Sequence, residues 1–485
     1  MSDQQQIDDE QYSYGVAIDA GSSGSRIYVY RWPTSKTNLD DFTRVEREAI
    51  YSEEVTPGIS ANNGQGIQQL QTLVNLAKHA IPTNIDISTI PIYLGATAGM
   101  RIIDSSYENE VMNSIQDILS TSGFQFTNNM ARTISGKEEG IYDWLVANYL
   151  RYDGNFPTLN SAYGALDLGG ASTQISFPIP STMPSTSSLR GSKDDEESFP
   201  LRIDNVEYPL YTQSFLYYGV DQARLQYDTK FASETKTNPC YPSWYVDSES
   251  NIEGSSNWEE CLSSIKQIFN EQNNTNCNQD GNRCLTNGGM HQLPISSNQK
   301  FIAMSAFVYT WDYLGLNIGP ETDDLDALNV RAQRVCNLNS EQQMGRYQKF
   351  MQRKPDLRKT KKPFAQCFNA AFTYHLLSMG YGLPTKQTPI EIYYEIGGTK
   401  VQWALGLMLV EANKLGSMFK ESTIAEFDIY LGGLGDTCKH LFGISVAILI
   451  ILVGFHRLKK KWSTCDRYEE VLPLIEQPET PVKNR

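Results

Sequence analysis

Residues 17–32 read AIDAGSSGSRIYVYRW, an aspartate and a turn of small residues between two runs with strand character. Ile27, Val29 and their neighbours alternate as in a half-buried strand, and the Gly-Ser run suits a tight turn. A turn alone has no need of Asp19. Residues 165–177, ALDLGGASTQISF, repeat residues 17–29 without a gap: Asp167 matches Asp19, Gly169 matches Gly21, Thr173 matches Ser25 and Ile175 matches Ile27. Two copies of strand, acid, glycine turn and strand predict two like-folded lobes facing each other. The chain around them alternates strand-like runs such as PIYLGATA with helical periodicity such as IQQLQTLVNLAKHAI, an α/β pattern. Gly-Ser turns offer successive backbone N–H groups to an anion, and Ser22, Ser23, Ser25 and Ser172 add hydroxyls. Asp19 and Asp167 suit a hydrated divalent cation that neutralises phosphate, while either one taken singly also suits an Asx turn.

Between the two copies lies TISGKEEGIYDWLVANYL. Ser135 followed by Glu138 forms a capping box, and Ile141, Trp144, Leu145, Asn148 and Tyr149 trace one helical face. Glu139 falls on the other side, either as an exposed acid at a helix N-terminus or as a general base. In GATAGMR, Arg101 is a surface arginine or a clamp for a terminal phosphate. No GxxxxGK[ST] occurs, which argues against a Walker-type nucleotide site.

The chain has 485 residues and a net charge of -15, which argues against polymer nucleic acid as a partner. Residues 441–455, LFGISVAILIILVGF, form the membrane-span candidate; at about 1.5 Å per residue they reach only about 22 Å, short of a bilayer core of about 30 Å. The basic HRLKKKW that follows favours a span with its tail cytosolic and the bulk of the chain lumenal. Six of eight cysteines lie between Cys240 and Cys367, in neighbouring pairs Cys240/Cys261, Cys277/Cys284 and Cys336/Cys367; six cysteines allow fifteen pairings, so spacing alone leaves connectivity open. Disulfides in an oxidising compartment and the sequon at Asn273 agree with the lumenal reading. The first residues, MSDQQQIDDEQYSYG, show no signal-peptide pattern and oppose it.

Five segments in order, AIDAGSSGSR, GATAGMR, ISGKEEGIYDWL, ALDLGGASTQISF and WALGLML, resemble the five conserved regions of the apyrase, or nucleoside triphosphate diphosphohydrolase, family, relatives of the actin and sugar-kinase superfamily. NPC at Asn238, NWEEC at Asn257 and RCLTNGG at Arg283 make the chain most similar to fungal Golgi members. The resemblance implies two ribonuclease H-like lobes around a cleft, with residues 14–163 as lobe I and 164–405 as lobe II. A return to lobe I with a stalk (406–432), the span and a cytosolic tail (456–485) follow, and a tail of residues 1–13 precedes. It implies Glu139 as catalytic base, Ser172 and Gln174 holding the attacking water, and Asp19 and Asp167 holding Mg2+ or Ca2+ through water. Phosphates would meet Ser22, Ser23, Gly24, Ser25, Arg26, Thr97, Ala98, Gly99, Arg101, Gly169 and Gly170, and the base would stack on Tyr309 of SAFVY. Trp403 would be structural at the lobe junction, and Asp143 stands where many relatives have glycine. The expected activity is removal of terminal phosphate from nucleoside tri- and diphosphates, clearing UDP or GDP in a Golgi lumen. The rivals are an exopolyphosphatase or kinase of the same superfamily, and a membrane-anchored nucleotide-binding regulator. YEEV at Tyr468 and EVLPLI match adaptor-read sorting signals.

Overall fold

Both quoted hairpins lead a sheet of the same strand order. The computed structural model describes residues 12–21, 24–34, 42–60, 64–179, 198–229, 233–248, 250–269, 295–353 and 363–415. In lobe I, β1 (Tyr12–Ala20), β2 (Ser25–Pro33) and β3 (Tyr51–Val55) form an antiparallel ribbon. Helix α1 (Gln65–His79), β4 (Ile92–Ala96), α2 (Ser105–Ser120), β5 (Ala131–Thr133) and α3 (Gly136–Arg151) follow, with β4 and β5 adding in parallel on the far side of β1. The sheet order is β3-β2-β1-β4-β5.

In lobe II the ribbon is β6 (Gly164–Leu168), β7 (Ser172–Pro178), β8 (Ser198–Ile203) and β9 (Val206–Leu216). After α4 (Val220–Tyr227) and α5 (Trp258–Ile265) come β10 (Phe301–Ser305) and α6 (Ala306–Leu314). Then follow α7 (Leu325–Cys336), α8 (Ser340–Arg353), α9 (Gln366–His375), β11 (Ile390–Ile392) and α10 (Trp403–Ala412). The sheet runs β11-β10-β6-β7-β9-β8, so β9, β7, β6, β10 and β11 repeat the lobe I arrangement, with β8 added at the edge.

The hairpin strands are not half-buried as their alternation predicts. Val16, Ala17, Ile18, Ile27, Tyr28, Val29 and Tyr30 are all buried, because β1 and β2 carry α1 and α2 on one face and α10 on the other. The one-sided reading of α3 is likewise corrected. Every residue from Glu139 to Leu150 is buried, since α3 lies between sheet II and α10 and is covered on all sides. Tyr142 stacks on Trp403 at the helix contact, with ring centroids 6.1 Å apart. Asn148 then ties the end of α3 to the next strand: its amide donates to the Tyr163 carbonyl and accepts from the Tyr163 N–H, at 3.0 and 2.9 Å.

Two disulfides join sequence neighbours in lobe II, Cys240–Cys261 and Cys336–Cys367. Cys277, Cys284 and the Asn273 sequon lie outside the described residues, as do residues 180–197 and everything after Leu415. Among the described residues no helix is long and apolar enough to cross a membrane, and the candidate span 441–455 lies beyond them.

Candidate active site

The two turns close in the same way. The Gly21 N–H donates to the Gly24 carbonyl at 2.9 Å, and the Gly169 N–H to the Ser172 carbonyl at 3.0 Å. Cross-strand register then lays out two matching rows of three residues. Asp19, Arg26 and Glu54 stand opposite one another on β1, β2 and β3; Asp167, Gln174 and Ser214 do so on β6, β7 and β9.

In the first row the Arg26 guanidinium bridges Glu54, at 2.9 Å, and Asp19, at 3.4 Å. The Trp403 indole N–H also donates to Asp19. Gly95, the register partner of Asp19 on β4, lets that ring approach: a Cβ there would lie 2.6 Å from it. In the second row Asp167 Oδ1 accepts from Ser305 Oγ at 2.5 Å. Gln174 turns away from Asp167: its Nε2 lies 2.8 Å from Glu139 Oε2, 2.9 Å from Ser172 Oγ and 3.2 Å from Ser214 Oγ.

The capping box places Glu139. Ser135 Oγ accepts from the Glu138 N–H, the Glu138 carboxylate accepts from the Ser135 N–H, and Arg132 pairs with Glu138, which fixes the first turn of α3. Glu139 is only 5% exposed and meets Arg101 Nη2 at 2.5 Å. Gly136 is required here, since any side chain would run into Ser214 and the Arg101 guanidinium.

Burial pushes the Glu139 carboxyl up to about 7; Arg101 opposes the shift, and the charges of Asp167 and Asp19 add to it. Asp167 is pushed up to about 6 by burial, with the Ser305 hydrogen bond opposing and Asp19 reinforcing. Asp19 is also raised by burial, with Arg26 opposing. The charges of Asp19 and Asp167 thus both reach Glu139, and that of Asp19 also reaches Asp167. Asp143, one helical turn beyond Glu139, is buried with no hydrogen-bond partner for Oδ2 among the described residues. Burial, then Asp167, Glu139 and Asp19, hold its carboxyl well above the usual range.

The remaining expected residues fall as follows. Ser22 and Ser23 lie outside the described residues. Gly24 and Ser25 end the first turn, and the Ser25 hydroxyl is buried without a partner among the described residues. The Thr97 N–H donates to the Ala20 carbonyl at 3.2 Å and leads into the single helical turn Ala98–Arg101, which includes Gly99. The Gly169 and Gly170 carbonyls accept N–H groups from the start of α4. Tyr309, on α6 of lobe II, is half-buried, and it is the least of the groups that push the Arg26 guanidinium of lobe I upward. Arg101 is engaged with Glu139, and Trp403 does more than join lobes, since it touches Asp19.

Glu54 and Ser214 are part of the constellation and carry no local motif; only strand register reveals them, while Ser305 opens SAFVY, a motif whose resemblance points to Tyr309 alone. A separate groove of about 470 Å3, lined by Arg44, Arg47, Tyr149, Asp153 and Gly397, contains none of these residues.

The acids suit a hydrated cation. Asp19 Oδ1 and Asp167 Oδ2 face the two turns, where a Cβ at Gly21 or Gly169 would lie 3.9 or 3.8 Å away. Among the described residues no three His, Cys, Asp or Glu side chains converge to bind a metal directly.

Comparison with known proteins places the chain in a family. Human ectonucleoside triphosphate diphosphohydrolase 3 is 32% identical over 455 residues, 83% of this chain and 78% of that protein. Bovine ectonucleoside triphosphate diphosphohydrolase 1 is 30% identical over 500 residues, 93% of this chain and 91% of that protein. Nucleoside-diphosphatase mig-23 of Caenorhabditis elegans is 28% identical over 448 residues, 83% of this chain and 77% of that protein. A solved nucleoside triphosphate hydrolase structure from Neospora caninum shares the fold, with a TM-score of 0.57 at 14% identity over 84% of this chain and 94% of that one. The model of the GDA1/CD39 (nucleoside phosphatase) family matches residues 5–424, and the chain belongs to that family.

Proposed function

We propose that this chain removes the terminal phosphate of nucleoside tri- and diphosphates by direct attack of water. Glu139 takes the proton of the water as its oxygen bonds to the outermost phosphorus, and the bridging P–O bond breaks to release the shortened nucleotide. Ser172 and Gln174 hold that water. The buried Gln174 Oε1, without a partner among the described residues, is an acceptor suited to it. The two glycine turns cradle phosphate oxygens with the backbone N–H groups not used in closing them, Ala98 and Gly99 add theirs and Thr97 its hydroxyl, and Tyr309 stacks on the nucleobase. A divalent cation such as Mg2+ or Ca2+, held through its water shell by Asp19 and Asp167, would offset phosphate charge.

The observation that carries this reading is Glu139: a buried carboxyl raised to about 7, hydrogen-bonded to Gln174 beside Ser172. A base poised near neutrality is matched to activating water. The test is inorganic phosphate release from ATP, ADP, GDP and UDP with and without EDTA. Release without an added acceptor and its loss on chelation are expected; no release from any of the four contradicts the reading.

A lumenal, Golgi-type setting is part of the proposal. The two disulfides suit an oxidising compartment, and the apolar 441–455 with its basic flank suits a single span with a cytosolic tail open to sorting adaptors. There the enzyme would convert UDP or GDP left by glycosyl transfer to the monophosphate.

A further inference from the structure

We propose that Ser305 is a positioning residue for the hydrolysis, acting through Asp167; this rests on the nucleotidase reading above. Ser305 ends β10 and is the N-cap residue of α6. A serine in that place ordinarily accepts a hydrogen bond from the second or third N–H of its helix. Ser305 makes no such bond, and its Oγ donates instead to Asp167 Oδ1 at 2.5 Å. Its backbone sits at φ 60° and ψ -124°, in the region that favours glycine. The side chain is exposed at the cleft, so packing does not explain it either. What distinguishes this serine is its contact with the acid.

The other lobe shows what the contact supplies. By register Ser305 pairs with Leu168 as Ala96 pairs with Ala20, so the lobe I counterpart of Ser305 is an alanine. Asp19 does not need a hydroxyl there, because Arg26 and Trp403 both donate to it. Asp167 has no such help: its row partner, Gln174, is committed to Glu139, Ser172 and Ser214. Among the described residues Ser305 is the one side-chain donor to Asp167, beside the Leu168 backbone N–H. With Oδ1 held by Ser305, Oδ2 stays turned toward Gly169, available to the hydrated cation. Removing the hydroxyl frees the carboxylate to rotate, and it then holds the cation's water shell less well.

The test compares Ser305→Ala, which removes the hydroxyl, with Ser305→Gly, which removes it while relaxing the backbone. Mn2+ affinity is read from the free-ion EPR signal in the presence of a non-hydrolysable nucleoside diphosphate analogue, alongside Mg2+ activation, nucleotide KM at saturating Mg2+ and thermal melting. Both variants are expected to bind Mn2+ about tenfold more weakly and to need correspondingly more Mg2+, the scale of one hydrogen bond to a charged group, with nucleotide KM unchanged. The glycine variant is expected to melt no lower than wild type, which separates this effect from misfolding. A folded variant that binds Mn2+ as wild type does overturns the role of Ser305, whatever its turnover. A wild-type chain that binds no Mn2+ with the analogue overturns the nucleotidase reading and this inference together.

Discussion

Arg101, at the end of the helical turn after β4, and Glu139, in the first turn of α3, meet at 2.5 Å, on the same carboxylate oxygen that accepts from Gln174 at 2.8 Å. The arginine sets how basic Glu139 is. Burial and two neighbouring acids raise the carboxyl, and Arg101 is the largest opposing influence. Replacing Arg101 with methionine keeps the bulk and removes that opposition, so the Glu139 pKa rises further above 7. The acid limb of kcat/KM should then move to higher pH, and activity at pH 7 should fall about tenfold for every pH unit the limb moves. An acid limb that stays in place would contradict the assignment.

In the wild-type protein the same carboxyl predicts the shape of the pH profile. Glu139 must be ionised to accept a proton, and its pKa is about 7. The kcat/KM for nucleoside diphosphate should therefore climb with pH through about 7, falling about tenfold per pH unit below it. A rate that is flat between pH 5 and 8 would remove Glu139 as the base.

Asp143 predicts a stability effect with a definite sign. Its folded pKa lies above the unfolded value of about 3.9, so the folded state binds the proton more tightly. The stability this proton provides is complete below about pH 4 and is lost as pH rises through the folded pKa. Asp143→Asn keeps the shape without the charge. It should melt at nearly the wild-type temperature at pH 4 and above it at pH 8, by a margin equivalent to about 1–3 kcal/mol for an unsatisfied buried group. A difference that shrinks as pH rises would contradict this.

The contact of Trp403 with Asp19 depends on the bare Gly95 backbone. Gly95→Ala puts a methyl 2.6 Å from the ring and should cost about 1–3 kcal/mol in denaturant unfolding. It should also weaken Mg2+ activation, because the ring can no longer hold its indole N–H on Asp19. Unchanged stability with unchanged metal response would show that Trp403 does not depend on this close approach.

How much of this is legible in the sequence follows from the range of each signal. The twin hairpins can be read because Asp19-x-Gly21 and Asp167-x-Gly169 recur in the same frame, and the capping box because Ser135 and Glu138 are close in sequence. Neighbouring cysteines give two pairs correctly, Cys240 with Cys261 and Cys336 with Cys367. Burial is misread wherever the covering element comes from far along the chain. Helix α10 coats both the lobe I hairpin and α3, so strands that read as half-buried and a helix that reads as one-sided are covered all round. Glu54 and Ser214 enter the site through cross-strand pairing, which no local motif records. Ser305 differs from an ordinary capping serine in where its hydroxyl points and in its backbone conformation, neither of which the sequence records.

The central claim is that Glu139 activates water for attack on a terminal phosphate held between the two lobes. The most direct measurement is inorganic phosphate release from UDP and ATP by Glu139→Gln, beside wild type of matching circular dichroism and melting temperature. The account predicts a loss of roughly 100-fold or more in kcat with the fold intact. Turnover close to wild type in a folded Glu139→Gln protein would contradict it.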